Sequence, residues 1–312
     1  IQDNIAKPAE YFDDNILMNT NILKVSHEYN VKRFIGISTE WLIYILTFVG
    51  VGVLWFLIRD EGAVKLVLYS TFAIVYLYII ISSVLTLPPH PRNRIFAALI
   101  LISVQVLFWA LFEQAGSSLS LFTDRSVDRT IFGQEIKTSV FQSLNAMYIV
   151  LLGPLFAALW VWLGKRNLDP SAPAKFGLGI IQLGLGFLVL VWGANAAGSE
   201  MTPVIFIFLI YLLHTTGELC LSPVGLSAMT RLSVPKMVGL IMGAWFLASG
   251  FGNFAAAQIA KLTTADGGGA DQVVLVYSSV GKLAVGVGVA LILISPLIKK
   301  MMHLDTISSD DA

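Results

Sequence analysis

Charge is what this 312-residue chain has least of: Asp, Glu, Lys and Arg make up 13% of it, while 56% is hydrophobic. A soluble domain carries about 25% charged residues, so the composition excludes an ordinary water-soluble fold and places most of the chain in a bilayer. Twenty basic residues balance twenty acidic ones, which leaves no cationic excess to attract nucleic acid. The single cysteine, Cys220, excludes an internal disulfide and a cysteine metal cluster; lying in an apolar run, it reads as a small packing residue. Four histidines, His27, His90, His214 and His303, are too scattered for a metal site. Neither a His-Glu-x-x-His helix nor a phosphate-binding loop of the G-x-x-x-x-G-K type is present. "GFGNFA", residues 250–255, imitates a dinucleotide fingerprint, but it lies in an apolar run with no strand before it. No cofactor and no metal are therefore expected. The N-terminus lacks the basic start, short apolar core and cleavage site of a signal peptide, so insertion is expected to rely on the first long apolar segment.

What is present is a series of long apolar runs. A helix needs about 20 apolar residues to cross the hydrocarbon, and only a helix satisfies its own backbone there. Eight segments qualify, at 41–58, 64–86, 95–115, 141–163, 176–197, 203–227, 237–260 and 272–298. Polar or Gly/Pro-bearing loops such as "LPPHPRNR" and "TTADGGGAD" separate them. One set of alternate loops holds nine basic residues: Arg92, Arg94, Lys165, Arg166, Lys175, Arg231, Lys236, Lys299 and Lys300. The other holds six, Arg59, Lys65, Arg125, Arg129, Lys137 and Lys261, three of them in the loop 116–140 beside Asp124, Asp128 and Glu135. The nine-residue side is expected to be cytoplasmic, with the C-terminus. Residues before 40 differ in kind: "AEYFDDNILMNTNILKVSHEYNVKRF" reads as an amphipathic soluble helix and "KRFIGIS" as a short strand, or the stretch is a lead-in helix on the membrane surface.

Carboxylates inside apolar spans are costly, and usually mark a polar interior, a partner or a pathway. Glu218 lies well inside the segment 203–227, five residues before a helix-straining Pro223. It reads either as a transport-pathway group or as a structural ion pair or hydrogen bond to His214, four residues earlier on the same face. Glu113 sits near the outer end of its span, where a carboxylate also reaches interfacial water. Lys282 either pairs with a carboxylate or extends to the interface. Gln142, Asn145, Gln182, Ser222 and Asn253 suit hydrogen bonds between helices or the lining of a cavity. Gly177, Gly179, Gly184 and Gly186, and Gly281, Gly286 and Gly288, suit close helix contact. Trp245 reads as a packing or interfacial aromatic unless its helix lines a cavity.

The strings "FWALFEQAGSSLSLFTDR", "FQSLNAMYIVLLGPLFAALW", "GELCLSPVGLSAMTRLS" and "MVGLIMGAWFLASGFGNFAA" resemble, in order, the seventh, eighth, tenth and eleventh helices of bacterial proton-dependent oligopeptide transporters, a branch of the major facilitator superfamily. The hairpin 41–86 is similar to the two helices that many members insert between their six-helix halves. The resemblance implies an all-α membrane fold of eight helices. Its parts are a soluble fragment at 1–39, the inserted hairpin and linker at 40–94, the C-terminal six-helix bundle at 95–300 and a cytoplasmic tail at 301–312. It further implies proton-coupled symport of di- and tripeptides by alternating access across the bacterial inner membrane. Residue by residue, Glu113 matches a proton-binding and gating carboxylate, and Glu218 the glutamate that meets the peptide's amino terminus. Asn145, Ser222 and Trp245 match further peptide-binding positions. The family's N-terminal bundle supplies the other cavity wall, so residues 1–312 alone are expected not to transport.

Residues 1–38, in "KPAEYFDDNILMNTNILKVSHEYNVKRFIGIS", resemble extended short-chain dehydrogenases acting on nucleotide sugars. That resemblance implies, as the alternative, an NAD-dependent epimerase or reductase fragment fused to a non-transporting membrane anchor. The chain holds no Tyr-x-x-x-Lys pair and no Gly-rich cofactor turn, so retained oxidoreductase activity is not expected. The change near residues 36–41 reads as a seam between unrelated segments.

Overall fold

The computed structural model describes residues 37–264 and 269–304. The dehydrogenase-like residues, save the last few, and the tail beyond Leu304 lie outside the described residues. The chain divides into two units, the first ending at Val67 and the second beginning at Leu68.

In the first unit, helix α1 (Ile37–Arg59) leads through Asp60 into helix α2 (Glu61–Thr86). Asp60 is a helix cap: its Oδ1 accepts the backbone N–H groups of Gly62 at 2.8 Å and Ala63 at 3.3 Å, donors with no partner inside the helix. Trp41, Phe48 and Trp55 are all exposed on α1, the pattern of a helix whose surroundings are apolar on every side. Arg59 ends it with its guanidinium 4.5 Å above the Trp55 ring.

The second unit continues α2 and adds α3 (Pro89–Phe112), α4 (Ser118–Ser126), α5 (Thr138–Phe141), α6 (Ser143–Lys165), α7 (Ala172–Ala197), α8 (Ile205–Leu232), α9 (Val238–Thr264) and α10 (Ala270–Met301). Among the described residues, seven helices are long and apolar enough to cross a membrane. The expected eighth span, 41–58, falls in α1, where the apolar helix counted among the described residues, Trp41–Val53, is shorter. "LPPHPRNR" is mostly helix rather than loop: Pro88 is extended and α3 begins at Pro89, because proline's missing N–H costs nothing in a first turn.

Close glycine contacts hold the centre of this unit. A Cβ on Gly179 would lie 2.7 Å from the Gly217 carbonyl oxygen, and one on Gly217 would lie 2.7 Å from that of Gly179. Gly184 and Gly281, and Gly177 and Gly288, meet in the same reciprocal way, so α7 lies backbone to backbone against α8 and α10. Such contacts suit helices in lipid, where burying apolar area gives little cohesion. Gly286 differs from the expectation; it faces open space. Helix α2 is held by aromatic rings, with Tyr69 and Phe72 each 5.0 Å from Phe251 of α9, and by Tyr76 bonded to Ser103 of α3 at 3.3 Å.

The stretch 116–140, expected as loop, is folded. After α4, β1 (Val127–Asp128) pairs in parallel with β4 (Thr202–Pro203), with Val127 opposite Thr202. Strands β2 (Thr130–Ile131) and β3 (Gln134–Glu135) form a hairpin. Its two-residue turn, Phe132 at φ 52° and Gly133 at φ 79°, has the left-handed pair that tight hairpins require. Arg129 meets Glu135 at 2.7 Å and Asp124 at 3.6 Å, so part of this loop's positive charge is matched locally.

Candidate functional site

Helix α8 carries Tyr211, Thr215 and Glu218 at spacings that put them on neighbouring turns. Asn145 comes from the first turn of α6. Its Nδ2 donates to Glu218 Oε2 at 3.0 Å and to Thr215 Oγ1 at 3.1 Å. The Thr215 hydroxyl proton is committed to the Tyr211 carbonyl at 2.7 Å, so its oxygen is free to accept. Glu218 is half-buried, and among the described residues it enters no ion pair. The cluster thus offers a carboxylate and an amide oxygen at the meeting of α6 and α8, with the Asn145 donors already spent. Chemically, such a set of acceptors can take N–H donors from a cation.

The expected alternative bond from Glu218 to His214 is absent. The His214 ring turns instead towards Phe187, 4.8 Å away, and Phe112, 6.2 Å away, and abuts Gly186. Side chains four residues apart share a face, but Asn145 from another helix reaches the carboxylate.

Glu113 begins a short 3-10 turn, Glu113–Gly116, that closes α3. It is half-buried and without an ion pair among the described residues. Gln114, its neighbour, is fully buried and receives a directional relay of hydrogen bonds. Tyr277 of α10 donates to Ser118 at 2.7 Å, and Ser118 donates to Gln114 Oε1. The Gln114 amide in turn donates to the carbonyls of Ala110 at 2.9 Å and Ala256 at 3.0 Å. Gln105, also fully buried, donates to the Trp245 carbonyl at 2.6 Å. Gln105 and Gln114 are not among the polar residues expected from the sequence to join helices, although a glutamine inside "VQVLFWALFEQ" is itself the signal.

Ser222 lies one turn beyond Glu218, its hydroxyl buried with no hydrogen-bond partner in the structure. Trp245 is 3% exposed; it stands edge-on to Phe176 at 6.2 Å, and its ring fills the space that a Cβ on Gly225 would need. Neither joins the Asn145–Thr215–Glu218 cluster. Gln182 bonds to the Cys220 sulfur at 3.4 Å and Gln142 to Ser120 at 3.4 Å, whereas Asn253 and Lys282 are exposed. Among the described residues, no three or more His, Cys, Asp or Glu side chains gather as a metal site would require.

The POT family model matches residues 71–274. Peptide transporter YePEPT of Yersinia enterocolitica is 36% identical over 241 residues, 76% of this chain and 47% of that protein. Dipeptide and tripeptide permease B of Photorhabdus luminescens is 31% identical over 76% of this chain and 50% of its own length. The chain therefore spans about half the length of these curated relatives. A crystal structure of a glutamate-to-glutamine mutant of the peptide transporter POT, in complex with alafosfalin, superposes with a TM-score of 0.71 at 29% identity, covering 86% of this chain and 55% of that one. With its apolar helices, its intramembrane carboxylates and these likenesses together, the chain belongs to the POT family, a family of multi-pass membrane peptide transporters and not of enzymes.

Proposed function

We propose that this chain provides one wall of a proton-coupled symporter of di- and tripeptides, and that Glu218 receives the peptide's amino terminus. The observation that carries this reading is the acceptor-rich cluster in which Asn145, also bonded to Thr215, holds a half-buried Glu218 that has no ion pair among the described residues. A buried carboxylate is stabilised by an ammonium or by a proton, and a peptide amino terminus supplies three N–H donors. Glu113, a second half-buried carboxylate without an ion pair among the described residues, is the proton-binding and gating group. With two such carboxylates in the bundle, a proton on one and an ammonium on the other can be exchanged within a cycle. Ser222, with its unpartnered hydroxyl, and Trp245 complete the peptide pocket as α8 and α9 move.

Alternating access needs an opposing wall, so transport by residues 1–312 requires a companion six-helix bundle. The protein sits in the bacterial inner membrane with residues 299–304 on the cytoplasmic side, as the basic residues favour. Within the chain, 1–39, 40–94, 95–300 and 301–312 are the soluble segment, inserted hairpin, bundle and tail.

The test is uptake of a labelled dipeptide into proteoliposomes under an imposed proton gradient. Residues 1–312 are expected to be inactive alone and active when co-expressed with the N-terminal bundle of a relative. In that reconstituted pair, Glu218→Gln is expected to abolish peptide binding and uptake. Glu113→Gln should abolish gradient-driven uptake while leaving counterflow exchange of peptide. Wild-type, gradient-driven uptake by both variants would refute the assignment.

A further inference from the structure

Away from the Glu218 cluster, a cavity of about 450 Å³ opens between the first turn of α7, the later half of α8 and the end of α10. Three cationic side chains, Lys175, Arg231 and Lys299, reach its wall together with one acidic residue, Asp169. Lys175 is already committed. Its Nζ lies 2.7 Å from Asp169 Oδ1 and 4.3 Å from the centre of the Trp160 ring. Arg231 and Lys299 are exposed and have no ion pair among the described residues, so of the three cations only Lys175 is matched there. Pro223 and Met302 add apolar surface to its lining. The opening turn of α7 also borders it: Ser171 at the cap makes no side-chain capping bond, and the first N–H groups of a helix attract anions.

We infer that this cavity binds a phosphate-bearing anion. The apolar lining makes the phosphodiester of an anionic phospholipid the better fit, with free phosphate as the other source of the same chemistry. Space for a glycerophosphate head, two cations without an ion pair among the described residues and apolar lining from Pro223 and Met302 answer the three parts of such a lipid: bulk, charge and the start of the acyl chains. All three cations belong to the set of loops with the excess of basic residues. Basic pockets between helices on that side are where anionic headgroups are held. This inference is independent of peptide transport, since none of its residues belongs to the Glu218 cluster.

The experiment is native mass spectrometry of the delipidated 312-residue chain, titrated with phosphatidylglycerol or phosphatidylcholine. The wild type is compared with an Arg231→Gln/Lys299→Gln variant and with a control, Lys165→Gln/Lys236→Gln, that removes the same charge from exposed positions outside the cavity. Removing two cations near the headgroup is expected to weaken phosphatidylglycerol binding about thirty-fold at low ionic strength, with the control changed less than about threefold and phosphatidylcholine binding unaltered. A second arm titrates inorganic phosphate calorimetrically: binding that vanishes in the cavity variant identifies free phosphate as the source. The inference is overturned if the cavity variant binds phosphatidylglycerol and phosphate as the wild type does, or if the control loses as much. All four replaced side chains are exposed, and circular dichroism confirms that each variant is folded.

Discussion

Gly217 sits immediately before Glu218, and its replacement by alanine tests whether the α7–α8 contact is a real constraint on the site. The added methyl would stand 2.7 Å from the Gly179 carbonyl oxygen, where ordinary contact begins at 3.4 Å. The helices would have to part by about 0.7 Å, or the backbone carrying Glu218 would have to rotate. Neighbouring backbone cannot yield as a flexible side chain does, so the overpacking cost falls in the usual range of about 1–3 kcal/mol. Alanine is the better helix former by about 1 kcal/mol, which offsets part of that. A net loss of roughly 1 kcal/mol is expected. Gly286 provides the contrast: with nothing within 4 Å, Gly286→Ala keeps the helix gain alone and should stabilise by about 0.5–1 kcal/mol. Reversible unfolding of the purified chain in mixed micelles measures both. If the two substitutions shift stability in the same direction, the glycine contacts do not hold this bundle together.

Two further outcomes follow from packing and charge. Trp245→Ala would empty the space between Gly225 and Phe176 and should cost about 3–5 kcal/mol, measured in the same unfolding assay; a change below about 1 kcal/mol would mean that the ring is not packed there. In the 116–140 segment, Asp128 accepts the Thr130 N–H at 3.0 Å, and this bond holds its carboxyl below the usual carboxylate range. A depressed acid stabilises above its unfolded value and loses that contribution as the pH falls through its folded one. Hydrogen exchange at Thr130 should therefore stay protected until the pH drops below the ordinary range for aspartate. Asp128→Asn should remove that acid dependence, and an unchanged profile would show that the carboxylate does not hold the turn.

The spans were legible because twenty apolar residues in a row leave the backbone few choices in lipid. Helices α3 and α6 to α10 overlap the runs read from hydropathy, with ends displaced by a few residues where Pro88 and Gly269 interrupt or cap them. Glu218 was legible for a related reason, since its charge is expensive where it sits. Its partner was not, because Asn145 lies 73 residues away and only the register of α6 against α8 brings the amide to the carboxylate; spacing along α8 pointed to His214 instead. Glycine roles were half-legible. Composition marks α7 and α10 as close-packing helices, but which glycine faces a neighbour depends on helix rotation, and Gly286 and Gly288 fall on different sides. The short strands at 127–135 were hidden because two-residue strands have no periodicity to read.

The parallel pairing of Val127–Asp128 with Thr202–Pro203 has a consequence for how the chain threads the bilayer. Between these strands the polypeptide makes two long apolar helices, α6 and α7. An even number of crossings returns it to the face from which it left. An odd number would strand the two segments on opposite faces, about 30 Å of hydrocarbon apart, and no backbone bond could join them. Those four residues are thus a parity check on the threading of α6 and α7, broken if one crosses without the other.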